Sequence, residues 1–178
     1  NSYLFKSGYD SILNPLFRNG TFIAGPNQFV PGWDNQRART IFEQMLVRTG
    51  NEIDAVAAAN DGLANAVVTA LKAKRLDPIP LSGQDATELG VQNIISGWQT
   101  MTVWKDTRVL ATRSVQAAVA YLNGKKPQTT GTVANKGKRL PAFIIPPVSI
   151  TKANYKILFN GYLKRSNVCR GEYAKFCK

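Results

Sequence analysis

The sequence predicts an α/β fold, a mainly parallel sheet with flanking helices, and three observations carry that prediction. Short apolar runs of strand length alternate with longer stretches in which apolar residues return every three or four positions. Polar, glycine-bearing segments, Asn60-Asp61-Gly62 and Gly83-Gln84-Asp85, stand where strand gives way to helix. Hydrophobic residues make up 44% of the 178, enough for one core, or one core plus a smaller piece.

The elements follow in order. Residues 3–17 place Leu4, Phe5, Tyr9, Ile12, Leu13, Leu16 and Phe17 on one face of an amphipathic helix, which Asn19-Gly20 ends. Residues 21–24 read as a short strand. Gly25-Pro26, Pro31-Gly32 and Trp33 then make a loop before a second helix over residues 35–48. Residues 53–58 predict a compact apolar strand, followed by Asn60-Asp61-Gly62 and a helix carrying Val67, Val68 and Leu71. Residues 79–82 predict the next strand, followed by Gly83-Gln84-Asp85 and a helix carrying Leu89, Ile94 and Ile95. Residues 100–104 predict a further strand, and a long helix over 107–122 ends at Asn123-Gly124. Residues 125–139 read as a basic loop, and 142–150 as an extended crossing split by Pro146-Pro147.

Composition removes several function classes. Twenty-three Lys and Arg against eleven Asp and Glu give a formal charge of +12. The charges are scattered over presumed helix faces, the 125–139 loop and the tail, with no zinc spacing, helix-turn-helix signal or aromatic-and-basic groove motif, so a solvated basic surface is expected and nucleic acid is not. The absence of His argues against a zinc site and a His-based triad, and no Gly-x-Ser-x-Gly or Walker loop is present. Neither an enzyme nor a cofactor or metal site is expected. No apolar run is long enough to span a bilayer. The chain opens without Met on a helical pattern, the expectation for a piece of a longer polypeptide. Cys169 and Cys177 fall in the last ten residues; by spacing they are either a disulfide that pins the terminus or two free thiols.

In parallel α/β sheets, ligands bind beyond the carboxyl ends of the strands. The residues there are Asn60 and Asp61 after the strand ending at Ala59, Gln84 and Asp85 after Ser82, and Lys105 and Asp106 after Trp104, with Trp33 on the loop before them. Carboxamide and carboxylate groups pair with neighbouring hydroxyls of a sugar ring, Lys adds a donor, and a Trp face stacks on the apolar face of the ring. Each has a plainer reading too: Asp61 and Asp85 as helix caps, Trp33 as a core anchor, Lys105 as a solvated cation.

The segments at 58–62 (Ala-Ala-Asn-Asp-Gly), 82–86 (Ser-Gly-Gln-Asp-Ala) and above all 97–105 (Gly-Trp-Gln-Thr-Met-Thr-Val-Trp-Lys) resemble the xylose-binding members of the bacterial periplasmic sugar-binding proteins of ABC transporters. That family has the type I periplasmic binding protein fold, two α/β lobes joined by three crossings and closing on a sugar. The resemblance implies sugar contacts by Asn1, Trp33 (stacking), Asn60, Asp85 and Lys105 (at the hinge), with Asp61 in support and capping. It implies that residues 1–104 are the second lobe, 105–140 a hinge crossing and a strand-and-helix segment belonging with the first lobe, and 141–178 the return crossing with a tail closed by a Cys169–Cys177 disulfide. The implied partners are a monosaccharide, an ABC permease and the first lobe, supplied by the rest of the same protein or by a companion chain. The implied location is outside the cytoplasmic membrane, with a signal peptide in the precursor. The alternative is the effector-binding domain of a LacI-like regulator, which shares the fold; a disulfide-bearing tail speaks against it, since regulators work in a reducing cytosol.

Overall fold

The computed structural model describes residues 1–177, so Lys178 lies outside it. The described residues form two compact units, one of residues 1–103 with 149–177, the other Trp104–Val148.

The larger unit opens with α1 (Ser2–Arg18) and α2 (Asn35–Arg48). Asp34 starts α2: its carboxylate accepts the Gln36 and Arg37 amides at 2.8 and 3.0 Å, satisfying two of the donors that a helix N-terminus leaves unpaired. Between these helices residues 21–24 do not form the expected strand, and Ile23 is 96% exposed. Without a neighbouring strand to supply a ladder, the Thr-Phe-Ile-Ala stretch does not become a strand on its own.

The core lies between α2 and α3 (Asp61–Ala73). Ala38, Phe42 and Leu46 return every fourth residue along α2 and meet Leu63, Ala64, Val67, Val68 and Leu71 of α3. Each fully buried Leu or Val side chain contributes about 1.5–3 kcal/mol through area removed from water. Beneath them runs parallel pairing, Val56 with Leu81 and Gln84 with Val103. The expected strands at 53–58 and 79–82 thus reduce to a single bridge, made by the Val56 amide on the Pro80 carbonyl and the Ser82 amide on the Val56 carbonyl. Pro78 and Pro80 carry no N–H, so the ladder stops there. After α4 (Glu88–Ser96), which ends on Gly97 at φ 88°, β1 (Met101–Trp104) follows.

The smaller unit holds α5 (Thr107–Leu122), capped by Asp106, and a hairpin of β2 (Gly131–Asn135) and β3 (Lys138–Ala142). The hairpin corrects the expected loop over 125–139. Asn135 pairs with Lys138, leaving Lys136 and Gly137 at φ 46° and 77°, the two left-handed residues of a type I′ turn. None of the described residues of α5 is buried.

β4 (Val148–Thr151) neighbours β1. It leads to the tail, which includes α6 (Arg165–Val168). Cys169 and Cys177 are bonded, with Cα atoms 5.8 Å apart. The tail docks on α4: the Gln92 side chain donates to the carbonyls of Asn167 and Val168, Asn167 donates to Glu88, and Val168 is wholly buried.

Candidate functional site

A continuous series of contacts along one rim of the larger unit links four of the five expected sugar residues. Asn1 precedes α1, and its carbonyl accepts the Leu4 and Phe5 amides. Phe5, on the next turn, meets Trp33 edge-on with ring centres 6.3 Å apart. Trp33 sits at φ 57° in the turn Pro31–Trp33, half-buried and packed against the core cluster. It therefore anchors its turn to the core while staying partly exposed.

Two residues on, Asn35 lies against Gly62 so closely that a Cβ there would come within 2.7 Å of its carboxamide. This apposition sets the N-terminal ends of α2 and α3 side by side. Asn60, not Asp61, caps α3, its Oδ1 accepting the Leu63 amide at 2.8 Å. The cap engages the carboxamide oxygen of Asn60. The expected capping by Asp61 is corrected accordingly: a cap needs non-helical backbone outside the first turn, and Asp61 already lies within the helix.

Asp61 is instead the buried anchor of the next loop. It is 2% exposed. Its carboxylate accepts the Thr87 amide at 2.8 Å, the Thr87 hydroxyl at 3.0 Å and the Gln99 side chain at 2.9 Å. Burial pushes its pKa above the usual carboxylate value, while hydrogen bonds from Thr87, Thr102 and Gln99 pull it partly back. A Cβ on Gly83 or Gly90 would collide with this carboxylate. The two glycines are spaces left for Asp61.

The loop so held is Gln84 to Thr87. The Asp61 amide donates to the Gln84 carbonyl, and the Gln84 side chain donates to Ala59. Asp85 is exposed and stands at φ 96°, followed by Ala86 at φ 48°. Its alternative role as cap of α4 falls to Thr87, whose hydroxyl accepts the Gly90 amide. Sequence reasoning had no signal for the left-handed pair, because neither Asp85 nor Ala86 is a glycine. Nor did it single out Tyr162, whose hydroxyl reaches the Asp85 carbonyl at 3.2 Å from the tail.

Lys105 is half-buried and belongs to the smaller unit, two residues after Val103, whose carbonyl accepts the Asp85 amide.

The chain as a whole is similar to known proteins. The profile of the periplasmic binding protein domain matches residues 1–126. The D-xylose-binding periplasmic protein of Escherichia coli is 35% identical over 171 residues, which cover 94% of this chain and 52% of that protein. A solute-binding protein from Chloroflexus aurantiacus, solved with D-glucose, superposes at a TM-score of 0.83 with 31% identity, covering 93% of this chain and 57% of that one. One from Clostridium phytofermentans with bound β-D-glucose gives 0.83 and 27%, over 92% and 55%. The chain thus spans about half the length of the curated relatives it matches. By the profile and by these relatives, this α/β chain belongs to the periplasmic binding protein family and carries part of its type I fold.

Proposed function

We propose that this chain is the second lobe of the binding component of an ABC sugar importer, together with a segment that packs with the first lobe. It holds a monosaccharide, xylose or a similar aldose, outside the cytoplasmic membrane and delivers it to the permease. The single observation that carries the reading is the rim on which Trp33, Asn60 and Asp85 are fixed in turn, where the parallel segments end. An aromatic face, a carboxamide donor and a carboxylate acceptor are what a polyhydroxylated ring needs. Asn1 and Lys105 complete the proposed contact set. The relatives named for xylose and solved with glucose support the ligand class. The disulfide supports an oxidising compartment, and with it a receptor over a cytosolic regulator.

Selectivity in this reading comes from buried polar groups. A carboxylate or carboxamide shut into the closed cleft without its hydroxyl costs about 1–3 kcal/mol, so an epimer lacking that hydroxyl is rejected. Closure is a hinge motion: ligand contacts favour the shut state, and the permease reads that state. The missing face of the cleft comes from the first lobe, which the remainder of the same polypeptide or a companion chain supplies. Calorimetry of the two-lobed protein with xylose, glucose, ribose and galactose tests the proposal. Heat is expected with at least one of them, and no heat with any would remove the sugar reading.

A further inference from the structure

We propose that Tyr162, brought in by the disulfide-closed tail, is a positioning residue that fixes Asp85 for its ligand; the ligand role of Asp85 itself rests on the function proposed above. Asp85 and Ala86 are consecutive non-glycine residues at φ 96° and 48°, a region that costs of order 1–3 kcal/mol per residue and persists only where the surroundings over-determine it. The surroundings here do so one group at a time. The Asp85 amide donates to Val103 at 2.9 Å, the Ala86 amide to the Thr102 hydroxyl at 3.2 Å, and the Thr87 amide to Asp61 at 2.8 Å. Those three bonds hold the N–H side of the loop to the core. The Asp85 carbonyl is held from the opposite side by the Tyr162 hydroxyl at 3.2 Å.

The acceptors on the core side are built into α3 and β1, whereas Tyr162 belongs to a segment seated through Gln92, Glu88 and the Cys169–Cys177 bridge. The peptide between Asp85 and Ala86 is therefore clamped at both ends of its dipole. Its rotation changes ψ of Asp85 and φ of Ala86, and so loosens the backbone that carries the Asp85 side chain. Removing the phenol hydroxyl deletes that one bond while leaving the ring in place.

The test compares Tyr162→Phe with wild type in the two-lobed protein. In the sugar-free protein, amide hydrogen exchange is expected to speed up about tenfold at Asp85 and Ala86 and to stay unchanged at Val68 and Leu71. Unchanged exchange at Asp85 and Ala86 overturns the clamp. In calorimetry with the monosaccharide that binds wild type best, Tyr162→Phe is expected to bind about three- to tenfold more weakly, the worth of one net hydrogen bond. The loss is expected to vanish in an Asp85→Ala background. A loss of the same size in that background overturns the route through Asp85. If wild type binds none of the monosaccharides, the sugar reading fails, and the exchange experiment still decides the clamp.

Discussion

Helices α3 and α5 are of similar length and both rich in Ala, Val and Leu, yet α3 buries eight of its thirteen residues and α5 none of its sixteen among those described. Val115, Val119, Tyr121 and Leu122 of α5 are 63%, 49%, 66% and 86% exposed. The difference is not one of propensity. α3 has α2 across its apolar face, with Phe42 and Leu46 fitted against it, while this chain leaves the apolar residues of α5 open to solvent. An apolar stripe becomes core only where another element completes it. In the proposed reading, the element that covers α5 belongs to the first lobe.

Mutations sharpen the contrast, most strongly in the core. Leu71→Ala should cost about 2–5 kcal/mol in urea denaturation, whereas Val115→Ala on α5 should stay within about 0.5 kcal/mol. Comparable losses at the two positions would mean that α5 is packed after all. Next in size is the Asp61 anchor. Gly90→Ala should destabilise by about 1–3 kcal/mol through the collision with the Asp61 carboxylate. Asp61→Ala should cost on the order of 3 kcal/mol, because the Thr87 and Gln99 donors lose their acceptor.

A smaller effect follows from the raised pKa of Asp61. The folded state holds this proton more tightly than the unfolded chain does, so the associated stabilisation is fully present below the unfolded carboxylate pKa. It is lost as pH rises through the higher folded value. Melts of wild type and Asp61→Asn across pH 4 to 8 should show the Asn variant gaining on wild type as pH rises. A constant difference would show that Asp61 carries no such proton linkage. The smallest change expected in this chain is for Val119→Asp on α5, nearly neutral here but destabilising by at least about 1 kcal/mol once the first lobe is present. Equal melts in both settings would place the first lobe elsewhere.

Local physics made some of this legible. Residues 35–48 and 107–122 were readable as helices, the second stopped by Asn123-Gly124; the Asp34 and Asp106 caps that start them are seen in the structure. The polar turns after Ala59 and Ser82 were readable from the alternation of apolar runs and helical stretches. What escaped depended on distant partners. Whether residues 21–24 became a strand hinged on a neighbour that did not form, and whether Asn60 or Asp61 capped α3 hinged on Thr87 and Gln99 claiming Asp61 from 26 and 38 residues away. The Lys136-Gly137 turn was a local signal, obscured by the basic residues around it. The left-handed Asp85-Ala86 pair was invisible because the groups that enforce it come from β1, α3 and the tail.

The central claim is that this chain carries half of a sugar site, so one comparison tests it most directly: calorimetry of the two-lobed protein and of this chain alone against the same monosaccharide. Saturable binding by the two-lobed protein is expected, and binding at least roughly 100-fold weaker by this chain, since the contacts of the first lobe and the closed cleft are lost. Equal affinity in the two would contradict it.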